Sequence, residues 1–191
     1  MPKQAQYDLP EILTYAVDIF TEQGYAKASM EEIIARTQFN RRAFYIEFKS
    51  KQSFLHAVLK HYIEHQLSAC QDSLIARTDS GTQAIYDYFN AYHELISQQG
   101  CLLVNCISEL GRNDPEVQSI ARHYYDALQL CFIGCLERAQ KHQQIRSKIN
   151  VESVALQLTC FTQGFAISSI LQGGEDDVII AMRELMSSVE I

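Results

Sequence analysis

The stretch "SMEEIIARTQFNRRAFYIEFKSK", residues 29–51, decides the fold of the N-terminal part of this chain. Its first residues form a capping box, because Ser29 can accept a hydrogen bond from the amide three residues on while Glu32 reaches back. This pattern predicts a short helix that begins at Met30 and buries isoleucine side chains on one face.

A second short helix follows within the same stretch. Asn40 is a favourable N-cap, and Arg41 to Phe48 lack glycine and proline and place two phenylalanines on one side of a helix. Two short helices joined by a turn of a few residues, here 37–40, form a helix-turn-helix. The stretch therefore predicts this motif, with a second helix that carries basic and aromatic side chains.

Positive charge is concentrated around the motif. The chain of 191 residues has a net charge of −7, yet residues 36–60 hold six lysines and arginines and one acid. Residues 1–60 hold eight basic and seven acidic residues, whereas residues 61–191 hold eight basic and sixteen acidic ones. Because phosphate attraction acts over a Debye length of about 10 Å, one basic face can hold DNA although the whole chain is acidic.

The rest of the sequence is predicted to be helical from end to end. A first helix should begin near Asp8 and stop at Gly24, and Ser50 should cap a longer helix after the motif. Apolar spacings of three and four residues predict the later helices, and no strand period is found. Their predicted limits are Ile85 to Ile96 with an end at Gly100, Cys101 to Leu110, Pro115 to about His142 capped by Asp114, Asn150 to Gly173, and Val178 to Val189 preceded by Glu175, Asp176 and Asp177.

Composition limits the class of protein. Hydrophobic residues make up 47% of the sequence, which is enough for a sizeable core. The N-terminal residues contain no apolar run, so we expect no secretory signal and a cytoplasmic protein without a membrane span. The longest uncharged run, residues 153–174, contains several polar side chains and is interpreted as a buried or interface helix. The six cysteines are interpreted as buried free thiols.

Residues 12–59 resemble the DNA-binding domain of the TetR family of bacterial transcriptional regulators. The family has an apolar end to the first helix followed by a glycine-aromatic turn, here Phe20 and Gly24-Tyr25. Its second helix carries Ser-x-x-x-Ile, here Ser29 to Ile33, and its third and fourth carry Tyr-x-x-Phe-x-Ser-Lys, here Tyr45 to Lys51. These motifs fall in register without a gap.

The resemblance implies an all-α fold in two parts. Residues 1–52 would form a three-helix helix-turn-helix DNA-binding domain, and residues 53–191 a helical effector-binding and dimerisation domain. The segment "GCLLVNCISELGRNDPEV", residues 100–117, also resembles a segment seen in a branch of the family. The implied function is a dimeric transcriptional regulator, most often a repressor that a small-molecule effector releases from a palindromic operator.

Two positions depart from the family pattern. The turn reads Thr37-Gln38-Phe39-Asn40 where the family usually has Ala-Gly-Val-Ser. Gln38 therefore takes the place of a glycine, which carries a cost if this position has a positive φ. Glu47 stands where many relatives carry histidine or another side chain compatible with DNA, so the operator sequence is not predictable by analogy.

The third predicted helix has a face suited to DNA. With its two phenylalanines turned inward, Arg42 and Ile46 lie on the opposite side, where they can contact guanine and a thymine methyl group. Lys49 and Lys51 are assigned to phosphates, although a single surface lysine is as often a solvated charge. The complete predicted DNA-binding set is Ser29, Thr37, Arg41, Arg42, Ala43, Tyr45, Ile46, Lys49 and Lys51.

The last two predicted helices are candidates for a dimer interface. A single helix-turn-helix buries too little surface for operator affinity, so we expect a two-fold dimer over a palindrome. These helices combine small residues with apolar side chains, although the same residues could simply form the core of a monomer. The predicted interface comprises Leu158, Phe161, Phe165, Val178, Met182 and Leu185.

An aromatic set in the acidic part of the chain could line an effector pocket. Ligand sites often have aromatic walls with a few polar groups, but aromatic residues at helical spacing are more often plain core. The predicted pocket residues are Tyr88, Tyr92, His93, Cys101, Tyr124, Tyr125 and Phe132. The identity of the effector is not encoded in a recognisable motif.

Cys101 offers a second mode of regulation. It follows Gly100 at a predicted helix start, where backbone amides favour a thiolate, so oxidation or alkylation of Cys101 could gate the regulator. Cys106 lies nearby, and Cys131 and Cys135 lie four residues apart. The alternative is that these cysteines are small buried side chains.

A catalytic or metal-binding protein is the remaining alternative. Cys101 with His93 could serve as nucleophile and base, and His61 with His65 could bind a metal. Neither pair has a third partner, and phosphate-loop, nucleophile-elbow and dinucleotide-binding patterns are absent from the sequence. We therefore predict no enzyme, no cofactor and no metal site.

Overall fold

The structure is a computed structural model that describes residues 7–97, 99–172 and 177–191. Over these ranges the chain is helical, and an isolated bridge between Ile145 and Glu190 is the one strand-like pairing. The predicted all-α class is confirmed. The helices are α1 (Leu9–Lys27), α2 (Met30–Thr37), α3 (Arg41–Glu47), α4 (Lys51–Tyr62), α5 (Ser68–Ala76), α6 (Gly81–Ile96), α7 (Leu102–Leu110), α8 (Pro115–Lys141), α9 (Val151–Gln172) and α10 (Asp177–Ser187).

Short polar side chains begin the helices at the predicted positions. The Ser29 hydroxyl accepts a hydrogen bond from the amide of Glu32 at 3.1 Å. The Asn40 side chain accepts from two amides of the first turn of α3, at 2.9 and 3.1 Å. The second half of the predicted capping box is replaced, because the carboxylate of Glu32 accepts from the side chain of Gln23. Equivalent caps are made by Asp8, Ser50, Asp114 and Asn150.

The helix ends differ from the prediction at several described positions and lie outside the described residues at another. α6 begins earlier than predicted, at Gly81, and α10 ends at Ser187 rather than at Val189. Gly24 has φ 76° and ψ 168°, which interrupts α1, but a further helical turn continues to Lys27. The predicted end of α9 at Gly173 and the acidic residues Glu175 and Asp176 lie outside the described residues.

A π-helical turn joins α4 and α5 into one long segment. The turn covers Ile63–Leu67 and is followed directly by Ser68, the first residue of α5. Single π-helical turns are frequent at functional sites. The wider turn rotates the side chains that follow it about the helix axis. The sequence predicted the helix after Ser50 only as far as Ile63, and it gave no sign of the wider turn or of a separate α5.

The helices pack into two groups that share α4. α1 packs on α4 and α7, whereas α8 lies against α6, α7 and α9. We call α1 to α3 the head and α5 to α10 the body; α4 contacts both α1 and α8. The predicted domain limit between residues 52 and 53 falls in the first turn of α4.

Phenylalanine rings form the core of the head. Phe44 of α3 is fully buried, and its ring centroid lies 5.0 Å from that of Phe54 in α4. Phe48 lies 4.8 Å from Phe54, and Phe39 in the turn lies 5.9 Å from Phe44. Edge-to-face contacts add to the free energy of apolar burial, so they fix α3 against α4.

The α9 helix is apolar on more than one side. Its segment Val151–Leu171 has a mean hydropathy of 1.4 and is, within the described ranges, the one helix long and apolar enough to cross a membrane by length and composition. Core helices of soluble proteins meet the same criterion, and Leu158 and Phe165 of α9 are packed inside the body. The apolar character of one side of α9 is thus explained by the core.

Gly100, at the start of the segment that leads into α7, is required by two separate constraints. Its φ is 77°, a left-handed conformation that favours glycine. A Cβ at this position would lie 2.5 Å from Cδ1 of Ile170 in α9. The backbone before α7 therefore lies in direct contact with α9.

Candidate nucleic-acid interface

The α3 helix presents one face to the core and the opposite face to solvent. Phe44 is buried, whereas Ile46 and Tyr45 are 70% and 43% exposed. Arg42 lies one turn before Ile46 and is also exposed. In a major groove the guanidinium could bind guanine and the isoleucine could contact a thymine methyl group. The exposed pair is thus suited to reading base edges.

The turn before α3 contains a strained residue. Gln38 has φ 52° and ψ 22°, the left-handed conformation that glycine adopts without penalty. The next residue, Phe39, is 2% exposed and packs into the phenylalanine core. That packing holds the turn in place. The condition under which a glycine replacement carries a cost is therefore met at Gln38.

The basic side chains on the outer surface of α3 remain available to DNA. Arg41 lies 3.5 Å from Glu31, but both side chains are exposed, and such pairs contribute little. Arg42 and Lys49 have no acidic partner within the described parts of the chain. All three side chains are exposed, so their assignment to DNA contacts stays a prediction. On the same surface, Glu47 accepts a hydrogen bond from the hydroxyl of Tyr7 at 3.2 Å.

Lys51 is turned toward the protein. Its ammonium donates a hydrogen bond to the backbone carbonyl of Tyr25 and lies 4.4 Å from the centroid of that ring. Burial lowers the pKa of Lys51, and the carboxylate of Glu109 acts in the opposite direction. The predicted phosphate contact of Lys51 is corrected accordingly, because the ammonium already has an internal partner.

Of the two hydroxyl residues predicted to contact DNA, Ser29 is exposed and Thr37 is buried. Thr37 is 7% exposed, and its hydroxyl donates to the carbonyl of Ile33 at 2.6 Å. Its predicted phosphate contact is therefore corrected to a bond within α2. Ser29 is exposed, and its own hydroxyl hydrogen is not used in the cap of α2. Ala43 is half-buried beside the exposed face of α3.

A buried acid joins α8 to α4. Asp114 is 3% exposed, and its Oδ2 accepts hydrogen bonds from Gln52 at 2.8 Å and from Nε2 of His56 at 2.7 Å. Its Oδ1 accepts from the amide of Val117 at 3.1 Å. Burial alone would raise the pKa of Asp114, but these bonds favour the carboxylate and lower the pKa to about 2. The sequence predicted the cap but not the partners in α4.

The predicted effector-pocket residues come together inside the body as a packed aromatic cluster. Tyr88, Tyr92 and Phe132 are at most 1% exposed. The Tyr88 ring lies 5.2 Å from Phe132 and 5.8 Å from Tyr92. Tyr124 lies 5.1 Å from Tyr125, which is half-buried. The partly exposed His93 packs at the edge of this cluster, where its ring centroid lies 5.8 Å from that of Phe165.

Polar groups are enclosed within this cluster. The hydroxyls of Tyr88 and Tyr124 and Nδ1 of His93 are buried, and none has a well-formed hydrogen bond to the described residues. The Tyr88 hydroxyl does lie beside the hydroxyls of Tyr124 and Thr162. Burial raises the pKa of both tyrosines far above the usual range, so their phenols remain neutral donors. Buried polar groups normally find partners, so these groups are suited to bind a polar ligand.

A surface cleft adjoins the aromatic cluster. It has a volume of about 410 Å³ and lies between the π-helical turn, α5 and α8. Ile63 and Ile120 supply apolar lining, and Gln71 and His123 supply polar lining. Tyr124 lines the cleft as well, and it therefore lies between the surface and the interior cluster.

The cysteines are free, and most are buried. Cys101 is 1% exposed at the N-cap of α7, and its sulfur accepts a hydrogen bond from the Tyr62 hydroxyl at 3.6 Å. Burial raises the pKa of Cys106 to about 12 and that of Cys135 to about 11, so both remain thiols. Cys160 is exposed on α9, and the expectation that it is buried was wrong.

The histidine pair considered as a metal site, His61 and His65, has no third ligating side chain beside it in the described residues. The rings of His61 and His65 lie 4.4 Å apart, and Nε2 of His61 lies 2.9 Å from the hydroxyl of Thr14. Burial, followed by the charge of His65, lowers the pKa of His61. No group of three or more metal-binding side chains occurs within the same ranges.

Most of the predicted dimer residues belong to the core of a single chain. Leu158, Phe165 and Met182 are at most 1% exposed, and Val178 is 6% exposed. Phe161 and Leu185 are half-buried. The predicted residues lie on the inward side of α9 and α10. Both sides are apolar, so the sequence did not show which side faces the core and which faces a partner. The exposed face of α9, which we call the α9 face, consists of Leu156, Cys160, Gly164, Ile167, Ile170 and Leu171.

Two family models match the chain. One, described as bacterial regulatory proteins of the tetR family, matches residues 12–58. The other, described as a tetracyclin repressor-like C-terminal domain, matches residues 81–185, which is more than half of the chain. The first match covers most of α1, all of α2 and α3 and part of α4, and the second covers α6 to α9 and most of α10.

Individual proteins show the same similarity. The HTH-type transcriptional repressor ComR of Escherichia coli (strain K12) is 23% identical over 167 residues, which cover 85% of this chain and 80% of ComR. A TetR-family regulator from Cytophaga hutchinsonii has a TM-score of 0.82 at 15% identity, over 98% of this chain and 99% of that one. A cysteine mutant of the TetR family regulator CifR, complexed with a 26-base-pair operator DNA, has a TM-score of 0.82 at 15% identity over the same shares of the two chains.

Proposed function

Because the chain belongs to the TetR family of bacterial regulatory proteins, we propose that it is a repressor that binds a palindromic operator as a homodimer and is released by a small-molecule effector. It is a DNA-binding transcriptional regulator and not an enzyme. We assign residues 1–52 to DNA binding and residues 53–191 to effector binding and dimerisation. Since it acts on bacterial DNA, we place it in the cytoplasm.

The exposed pair Arg42 and Ile46 carries this proposal. An isoleucine that is 70% exposed would be unfavourable on a surface that met water alone, although single exposed apolar residues do occur. Beside an unpaired guanidinium on the outer face of α3, it matches the mixed polar and apolar pattern of the major groove. Phosphates would be held by Arg41, Lys49 and Tyr45 at the edges of this face.

The α9 face supports a homodimer. Its residues recur at spacings of three and four, so they form one continuous stripe along the helix. Leu171 is 80% exposed and Ile170 is 51% exposed, and a Cβ at Gly164 would meet no atom within 4 Å. A long apolar stripe with a small residue at its centre is suited to a second copy of the same helix.

A charge placed on the α9 face tests the dimer. Ile167→Glu should convert the protein to monomers at micromolar concentration, because a carboxylate would be buried without a partner. The matched control is Leu130→Glu, since Leu130 is 68% exposed on α8 and lies outside the α9 face. Sedimentation velocity distinguishes the two outcomes. A dimer that survives Ile167→Glu would contradict this assignment.

The aromatic cluster and the adjoining cleft support the effector role. A ligand that enters beside Tyr124 would reach two buried phenols that have no well-formed partner. The effector should therefore combine an apolar body with a hydrogen-bond acceptor. Binding releases DNA if it favours a conformation in which the two heads no longer match the operator.

Regulation through Cys101 is a second candidate. The Tyr62 hydroxyl donates a hydrogen bond to the Cys101 sulfur at 3.6 Å, so a change at this sulfur would alter the contact between α4 and the start of α7. Access is restricted, because Cys101 is 1% exposed. If Cys101 is the sensor, Cys101→Ser should bind operator normally and remain bound after treatment with peroxide or diamide. Equal release of the variant and the wild type would remove this candidate.

Footprinting tests the proposed function directly. The purified protein is applied to DNA upstream of its own gene at several salt concentrations, with random DNA as competitor. Protection of a palindrome that resists competition is the expected result, and it supplies the operator for effector screening. Weak binding that is equal on all sequences, and that Arg42→Ala does not change, would contradict sequence-specific regulation.

A further inference from the structure

A carboxylate of the body caps a helical turn of the head. Oε2 of Glu109, in the last turn of α7, accepts a hydrogen bond from the amide of Tyr25 at 2.8 Å. Oε1 of the same residue accepts from the amide of Ala26 at 2.7 Å. These amides begin the turn that follows Gly24, where the first amides of a helix lack partners of their own. Glu109 therefore serves as an N-cap supplied by a different helix.

The same peptide group is held from its other side. The carbonyl of Tyr25 accepts a hydrogen bond from the ammonium of Lys51. Lys51 begins α4 and lies four residues after the end of α3. A Cβ at Gly24 would lie 3.1 Å from Oε2 of Glu109, so a side chain at that position would crowd the carboxylate. The end of α1 is thus held between Glu109 of α7 and Lys51, the first residue of α4.

The opposite end of α7 lies in the aromatic core of the body. Cys101 precedes the first turn, and its sulfur accepts the hydrogen bond from Tyr62. The helix has nine residues, so its two ends are about 14 Å apart at 1.5 Å per residue. A shift of α7 that begins at the core would displace Glu109 and the end of α1 together.

We propose that Glu109 is a positioning residue for DNA recognition: it fixes the head on the body, so that a change in the body core is transmitted through α7 and moves α3. This inference rests on the proposed function, since it concerns the spacing of the two heads on an operator. A head held in this way accepts one separation of half-sites. A head released from Glu109 accepts neighbouring separations with less discrimination.

The alternative role for Glu109 is a local surface cap, because the side chain is exposed. A local cap would affect the stability of the fold but not the preference for half-site separation. Glu116 provides a matched control, since it is also acidic, lies near α7 and forms an ion pair with Lys60 at 2.8 Å. Glu116→Gln removes the same charge from the same region while the cap on α1 remains.

The test compares Glu109→Gln with Glu116→Gln and the wild type. Hydrogen exchange of the free proteins reports on the amides of Tyr25 and Ala26, which should exchange about tenfold faster in Glu109→Gln, given one lost charge-assisted bond. Binding is then measured on the footprinted operator and on operators whose half-sites are moved by one base pair in either direction. Glu109→Gln should lose about five- to tenfold affinity on the native spacing and less on the altered ones. Glu116→Gln should keep the wild-type order.

The outcomes separate this inference from the proposed function. If the wild type binds no operator, the proposed function fails, while the exchange rates still decide whether Glu109 holds the head. If Glu109→Gln exchanges like the wild type, the positioning role is overturned. It is also overturned if affinity falls by one common factor on all spacings. Glu109→Ala, checked for its helical content, repeats the comparison with both acceptors removed.

Discussion

The head and the body both have aromatic cores, but the chemistry of the two cores differs. In the head, Phe44, Phe48 and Phe54 pack edge to face and contain no polar atom. In the body, Tyr88 and Tyr124 bring hydroxyl groups into the interior without well-formed partners. A core without polar groups has one low-energy packing, whereas a core with unpaired donors remains open to a ligand that supplies acceptors. The comparison indicates that the head is built for rigidity and the body for response.

The largest expected effect concerns the rigid core. Phe44→Ala removes a fully buried ring and should lower the free energy of unfolding by about 3–5 kcal/mol, because the cavity cannot collapse among the other rings. Urea denaturation measures this change. The neighbouring Tyr45 is 43% exposed, and Tyr45→Ala should change stability by about 1 kcal/mol or less. Similar losses for the two variants would show that α3 is not anchored through Phe44.

The buried acid between the two regions should control stability at low pH. The pKa of Asp114 is about 2 in the folded protein, below the ordinary value of 3.8. A depressed pKa stabilises the folded state above about pH 4, and that contribution is lost as the pH falls from about 4 to about 2. Asp114→Asn should remove about 2 kcal/mol at neutral pH and flatten the stability curve in that window. Urea denaturation across the window measures it, and an unchanged slope would show that other acids determine the acid response.

Substitutions on the exposed surface of α3 and just after it should distinguish base recognition from phosphate attraction. Arg42→Ala should weaken operator binding by about 1–3 kcal/mol and weaken random DNA much less. Lys49→Ala should weaken both DNAs alike and reduce the salt dependence by about one counterion. Fluorescence anisotropy at several salt concentrations measures both quantities. Equal losses of Arg42→Ala on operator and random DNA would place Arg42 among the phosphate contacts.

The smallest effect is expected in the core of the body. Tyr88→Phe removes a hydroxyl that has no well-formed hydrogen bond to the described residues, so stability should stay within about 1 kcal/mol of the wild type or rise. Tyr62→Phe removes a hydroxyl that donates to Cys101, and it should lower stability by about 0.5–1.5 kcal/mol. Thermal denaturation ranks the two variants. The opposite order would mean that the Tyr88 phenol has a partner in solution and that the core is not open to a ligand.

Local patterns explain why much of the head could be predicted from the sequence. Ser29 caps an amide three residues away, and Asn40 caps amides two and three residues away. Interactions over such short separations depend on residue type and spacing, which the sequence states directly. The place of Gln38 in the turn likewise identified the position where a positive φ would matter, but the value itself came from the structure.

Contacts between distant segments could not be predicted. Glu109 and Tyr25 are separated by 84 residues, and neither lies in a pattern that points to the other. The side of α9 that faces the core was also ambiguous, because Leu158 and Ile167 belong to the same apolar helix and differ only in what packs against them. Lys51 was misjudged for a related reason, since its partner is the backbone carbonyl of Tyr25. In each case the missing information is the relative position of two helices.

Gly100 limits how this gene can change over generations. Any other residue there would need a conformation that side chains avoid and would bring a Cβ to 2.5 Å from Ile170. A smaller residue at position 170 would make room, but it would also reduce the α9 face. A lineage that replaces this glycine must therefore both change position 170 and tolerate a strained backbone at position 100. Among the descendants of this gene, position 100 should be one of the slowest to diverge.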